Sequence, residues 1–327
     1  MPRSTHHGTR RRPNARRLAV ALAVAFLSAS GLPSSAASWF RTNDVVAFLG
    51  GSSVVAAEQA GFLETTLTLA HPGYRLRFRS LGWEGDSVFE RPRELNFPDT
   101  PHLLRQCGAT VVVLEFGTLE ARDPGFKLTA FLDAYRGLID SLGTDVRRSV
   151  VVIPPPLEAK PPPLPDFSRA NVVLAELADA VRTLAGERHL PVIDLHESFT
   201  RQPPTAPRTH DGLDPTPAGH RAIAAAWAQA LGRQALAVQV RDPAFWNRAD
   251  IAALHEAVRT KNRLWFDAWR PMNWAFLAGD RTEQQASRDH LDRTVRWFPA
   301  EMRQFDPLIV EAEIRVESLS AQIQIAP

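Results

Sequence analysis

Val45-Val46-Ala47-Phe48-Leu49 is an apolar, β-like run that ends in Gly50-Gly51 and delivers Ser52-Ser53. A serine placed on a strand-to-helix turn is how α/β enzymes present a nucleophile. Ser52 is the candidate, and its amide, near a helix N-terminus, is a candidate oxyanion donor. The structural alternative is a plain turn in which Ser52 or Ser53 caps the helix. Much later in the chain, His210-Asp211-Gly212-Leu213-Asp214-Pro215-Thr216 is placed to bring the base and the acid that orients it. Two further glycine turns carry polar groups: Leu81-Gly82-Trp83-Glu84-Gly85-Asp86-Ser87 and Phe116-Gly117-Thr118-Leu119-Glu120. Glycine there lets backbone amides approach a ligand closely.

These segments work together only if the fold brings their turns to one rim. The pattern predicts that it does. β-like runs at Val45 to Leu49, Leu76 to Leu81, Thr110 to Phe116, Ser149 to Ile153 and Pro191 to Leu195 alternate with amphipathic stretches at Val54 to Leu69, Leu128 to Leu142 and Arg169 to Ala185. Such alternation implies an α/β fold, a parallel sheet with helices on both faces, whose ligands bind beyond the carboxyl ends of the strands. Pro154 to Pro165 is a proline-rich loop that excludes a helix directly after the fourth strand. Thr216 to Leu231 reads as one more helix, with Thr216 as N-cap and Pro217 in its first position. From about Gln239 the strand signal fades, and Trp246, Trp265, Trp269, Trp274 and Trp297 lie in a stretch read as a helical extension.

The set of blocks resembles the SGNH, or GDSL-like, hydrolases, ester hydrolases with a flavodoxin-like three-layer α/β/α fold. Gly50-Gly51-Ser52 stands where that family has Gly-Asp-Ser. Leu81-Gly82-Trp83-Glu84-Gly85-Asp86 is similar to its Leu-Gly-Trp-Ser-Gly-Asp, which makes Gly85 the implied oxyanion glycine. Gly117-Thr118-Leu119 stands where Gly-x-Asn is expected, so the implied oxyanion Asn is replaced by Leu119. Asp211-Gly212-Leu213-Asp214 keeps the family's Asp and has Asp214 where its catalytic His belongs, and Pro215 to His220 is similar to the family's trailing Pro-x-x-x-Gly-His. The resemblance covers roughly residues 43 to 232. Lys261 to Phe266, Trp269 to Asn273 and Gln304 to Leu308 resemble the tail of planctomycete-type exported members.

Losing one oxyanion donor costs about 10² to 10³ in turnover, and losing the base of a Ser-His pair costs about 10⁴ to 10⁶. Asp214 is a weak base, with an ordinary carboxylate pKa of about 3.9. His210, on the same loop and next to Asp211, is the better rescue base; the alternative is an exposed loop histidine. His196 and His220 read as structural. His210, Asp211 and Asp214 lack a recognisable metal-ligand spacing, so no metal and no cofactor is expected. Asp86 and Glu120 are candidates for binding a polar substrate, or else solvated and helix-capping carboxylates. Trp265, Phe266, Trp269 and Trp274, at helical spacing, read as packing between the extension and the main domain, with carbohydrate stacking as the alternative.

The whole chain sets bounds on these readings. Its 327 residues, 44 % hydrophobic, fit a core domain at 38–235 and an extension at 236–327. Residues 1–37 read as an export signal: Arg10, Arg11, Arg12, Arg16 and Arg17, then an apolar stretch from Leu18 to Leu27, then Ser35-Ala36-Ala37. The expected location is therefore periplasmic, extracellular or in the envelope, with a membrane partner only if this segment is retained. It holds six Arg and no acidic residue, so its removal turns a formal charge of +2 into −4. No basic-face argument for nucleic acid survives that change. Cys107 is the only cysteine, so burial and not an internal disulfide must hold the fold together. The expected function is ester hydrolysis of reduced activity on a small-molecule or glycan O-acyl ester; the competing readings are a non-catalytic module that binds acylated glycans and an envelope interaction domain.

Overall fold

In the computed structural model, residues 39–93, 96–202, 204 and 206–325 are described. The segment read as an export signal lies outside them. Five short runs, Val-rich in β1, β3 and β4, form parallel strands: β1 (Val45–Gly50), β2 (Arg77–Ser80), β3 (Val111–Glu115), β4 (Arg148–Ile153) and β5 (Val192–Asp194). Their order across the sheet is β2-β1-β3-β4-β5, with the chain's first strand near the middle. The reversal of direction around β1 opens a crevice at the carboxyl ends of β1 and β3, where such sheets bind ligands.

Alternation along the strands sends side chains to two apolar layers. Val46, Val111, Val113, Val150 and Val152 pack on one face with Leu63, Leu67 and Trp227. Ala47, Val112, Leu114, Val151 and Ile153 pack on the other with Leu104, Phe131, Tyr135 and Leu177. The first layer is covered by α1 (Ser52–Ala60), α2 (Phe62–Ala70) and α7 (Pro217–Ala230), the second by α3 (Thr100–Cys107), α4 (Leu128–Ser141) and α5 (Ser168–Glu187). The short α6 (Leu195–Arg201) follows β5. Helix α7 starts where its capping residues dictate: the Thr216 hydroxyl accepts from the Gly219 amide at 3.1 Å and Pro217 occupies the first turn.

The stretch expected as one helix from Val54 to Leu69 is two. Gly61 ends α1 and starts α2 at φ +75°, a left-handed backbone that stops an α-helix and that glycine adopts without a Cβ penalty. Its Cβ position faces α10 (Ala249–Trp269), 2.8 Å from Arg259 Cγ, so the break also lets the extension approach.

The extension is helical. It comprises α8 (Gln234–Arg241), α9 (Pro243–Trp246), α10, α11 (Ala275–Ala278), α12 (Trp297–Met302) and α13 (Phe305–Ser320). Leu236, Val240, Phe245, Ile251, Leu254 and Val258 form a third apolar cluster with Leu69 of α2 and Ala225 of α7. The Trp265 indole donates to the Ser80 carbonyl at 2.7 Å, and Trp269 stands edge-on to Trp83 at 5.6 Å, so these aromatics do pack the extension onto the sheet domain. The described residues from Trp39 onward form one compact unit. Among the described residues no helix is long and apolar enough to cross a membrane.

Candidate active site

Gly50 sits directly across from Glu115 in the parallel β1/β3 register. A Cβ at residue 50 would lie 2.5 Å from the Glu115 carbonyl oxygen and 2.6 Å from Val54 Cγ2. Only glycine lets the chain turn there, and the turn puts Ser52 and Ser53 in the first positions of α1. First-turn amides have no intrahelical acceptor. The positive pole of the helix lies behind those of Ser52 and Ser53.

A cavity of about 280 Å³ opens at this point, lined by Ser52 and Ser53, Gly85 and Asp86 from the turn after β2, Leu119 and Glu120 from the turn after β3, and Asp211 and Asp214 from the loop before α7. The fold thus brings Ser52, Gly85, Asp86, Glu120, Asp211 and Asp214 to one rim. His210 is absent from that lining. Its amide donates to the Asp214 carbonyl at 2.8 Å, closing a turn that is also pinned by the Thr209–Pro215 bridge, and its side chain is exposed. His220 is buried in α7, stacked parallel to Phe62 at 5.9 Å, and burial pushes its imidazole down to about 4. His196 lies in α6. Among the described residues, no group of three or more His, Cys, Asp or Glu is arranged to hold a metal.

Most of the cavity's carboxylates are already engaged. Asp86 makes a two-point ion pair with Arg93 at 2.7 and 2.8 Å, and Arg93 in turn lies 4.3 Å over the Trp83 ring. Burial raises the Asp86 carboxyl, and Arg93 opposes that rise. Glu120 accepts from the Val88 amide at 2.6 Å and the Gly117 amide at 2.8 Å, which fastens two rim turns together. The Gly117 amide is therefore spent internally. Asp211 accepts from the amides of Asp214 at 2.7 Å and Leu213 at 2.8 Å; those bonds hold its carboxyl below the ordinary range. Leu119, exposed on the rim, offers no side-chain donor.

Several residues at the site are not singled out by the sequence pattern. Glu158, in the proline-rich loop, accepts from the Thr209 amide at 2.8 Å and pairs with Lys160 at 3.0 Å, and Lys160 reaches the Thr209 carbonyl at 2.6 Å. This brace holds the loop that carries Asp211. Glu115 ends β3 inside the cavity wall, where burial raises its carboxyl and the neighbouring Ser53 hydroxyl opposes the rise. A charged residue ending the run Val111-Val112-Val113-Leu114 was the available signal. A second cavity of about 200 Å³, walled by Pro155, Pro156, Leu157, Phe199 and Ile223, adjoins the first. Ser53, Glu115, Thr118, Leu213 and Pro215 line both.

The profile of the GDSL-like lipase/acylhydrolase family matches residues 48–222, which includes the first serine turn and the Asp211 to Asp214 loop. No curated protein matches the sequence. Among solved structures, a gut microbial diltiazem-metabolizing enzyme is similar with a TM-score of 0.61 at 12 % identity, over 87 % of this chain and 96 % of its own. That coverage takes in the helical extension as well as the sheet domain. An acetylxylan esterase from Geobacillus stearothermophilus aligns with a TM-score of 0.46 at 14 % identity, over 59 % of this chain and 96 % of its own. An α/β hydrolase from the Lake Arreo metagenome aligns with a TM-score of 0.48 at 16 % identity, over 60 % and 99 %.

Proposed function

Because the chain belongs to the GDSL-like lipase/acylhydrolase family, we propose that it is an exported hydrolase of O-acyl esters whose turnover is reduced. One observation carries the reading: two serine hydroxyls at the N-terminus of α1, with Ser52 at the family's nucleophile position, open on a cavity that also receives Gly85. The α1 amides and the Gly85 amide supply the donors that an acyl-transfer oxyanion requires. The substrate class is a small-molecule or carbohydrate ester, and the Arg-rich, then apolar, then small-residue N-terminus supports export.

Reduced turnover follows from what the rim lacks. Among the described residues no histidine lines the cavity, and Leu119 stands at the oxyanion Asn position. The same observation favours a second reading, a module that binds acylated glycans, or an envelope partner, without chemistry. The two separate in one assay. The full chain is compared with a Ser52→Ala/Ser53→Ala double variant on a panel of short acyl esters. The expected result is slow hydrolysis that falls at least about 10²-fold in the double variant. Equal background rates in the two proteins, together with saturable binding of an acylated oligosaccharide, would establish the binding module instead.

A further inference from the structure

A cavity of about 550 Å³ opens where the extension meets the sheet domain, larger than either cavity at the candidate active site and sharing no lining residue with them. The sheet domain supplies Leu81 after β2, Phe97 and Leu103 of α3; the extension supplies Trp265 of α10, Leu277 of α11 and Ile309 of α13. Apolar walls of this extent suit a small organic ligand, and the volume has room for roughly 10 to 20 non-hydrogen atoms.

Two polar groups in the wall have their hydrogens to spare. The Trp265 indole is spent inside the fold on the Ser80 carbonyl, at 2.7 Å. One turn further along α10, Trp269 also lines the cavity, and its Nε1 is buried with no acceptor among the described residues. Arg296, just before α12, lines the cavity as well. Its Nη2 donates to the carbonyls of Phe276 at 2.6 Å and Leu277 at 3.1 Å, which pins the guanidinium in place. Its Nε is buried without an acceptor, and no carboxylate pairs with it among the described residues. Buried donors are rarely left in this state, so two in one cavity wall call for an acceptor from outside the chain.

The remaining charges fix its sign. Arg303 and Asp306, both exposed, also line the cavity and balance one another, while burial pushes the Cys107 thiol up and keeps it neutral. Arg296 thus leaves the cavity with one net positive charge. A carboxylate carries one negative charge and two acceptor oxygens, the complement of a guanidinium and an indole N–H. We propose that this cavity is a binding site for a small amphiphile with an apolar body and a single carboxylate, its head held by Arg296 and Trp269 and its body lying against Leu81, Leu103, Trp265 and Ile309. The site is separate from the serine turn and stands independently of the ester-hydrolase reading.

Isothermal titration calorimetry of the full chain tests this, with decanoate as the probe and decanol as its uncharged match. The expected result is saturable binding of decanoate at one site, with a Kd of about 10⁻⁵ to 10⁻⁴ M, and at least about tenfold weaker binding of decanol. Arg296→Gln is expected to weaken decanoate by about tenfold or more, and Trp269→Phe, which keeps the ring and removes the N–H, by about threefold. Should Arg296→Gln fail to fold, Ala268→Phe carries the test: it fills the cavity from α10, leaves the charges in place and must abolish the saturable heat. No saturable binding of decanoate up to about 1 mM, equal affinity for decanol, or parent affinity in Arg296→Gln or Ala268→Phe would each overturn the site.

Discussion

Asp214 occupies the cavity wall on a turn held closed by Asp211, so a histidine introduced there would place an imidazole on the rim three residues after an acid. Asp214→His is therefore expected to raise kcat/KM on short acyl esters by about 10²-fold, the usual contribution of a positioned base. Adding Leu119→Asn, which supplies a missing donor, is expected to raise it further by at least about tenfold. Steady-state kinetics check both, and a double variant no faster than the parent would mean that the rim is shaped for holding and not for turnover. Residues on the strand-end turns were legible because their spacing repeats a family pattern: Ser52, Gly85, Asp211 and Asp214 all reach the cavity. Glu115 was not, since one charge at the end of an apolar run reads as the strand's last residue. Nor was the engagement of Asp86, because Arg93 lies in a loop whose path the sequence does not reveal.

The elements follow from periodicity where burial is two-sided, and every strand end differs from its expected position by no more than one residue. Helix boundaries depend on single residues and were less legible. Helix α3 was missed, although Asp99 caps it by accepting from the His102 amide at 2.8 Å, Pro101 sits in its first turn and Gly108 ends it. Its one buried apolar residue, Leu104, gave too weak a stripe. Gly61 was absorbed into an amphipathic run because apolar positions continue on both sides of it. Its left-handed φ and its 2.8 Å clearance to Arg259 make a strong claim at this scale. Gly61→Ala is expected to destabilise the fold by about 1 to 2 kcal/mol, from the positive-φ penalty and the displaced Arg259 side chain. Urea denaturation monitored by circular dichroism measures it, and a midpoint equal to that of the parent would show that the α1/α2 break is not set by this residue.

At the scale of the whole molecule, the extension is seated on buried charge as well as on apolar surface. Lys261 of α10 is 2 % exposed and meets Glu64 of α2 at 2.8 Å, while Asn262 donates to the Glu58 carbonyl at 2.8 Å. Glu58 of α1 faces the same seam, and its Oε1 is buried without a hydrogen-bond partner among the described residues. Burial pushes its carboxyl up to about 8, with Lys261 and Arg270 opposing the rise and Glu64 adding to it; burial raises Glu64 as well. A carboxyl that keeps its proton to about pH 8 when folded, and releases it near 4.5 when unfolded, binds a proton on folding throughout that window. Stability is then greatest below the lower value and falls as pH rises toward the upper one, by at most about 1.4 kcal/mol per pH unit from this group. Glu58→Gln removes that proton uptake while keeping the shape. Its unfolding free energy is expected to fall less steeply between pH 5 and pH 8 than the parent's, leaving it the more stable protein at the alkaline end. Parallel urea titrations at both pH values decide the matter: equal slopes would mean that Glu58 is ionised in the folded seam and that Lys261 is shared between two carboxylates.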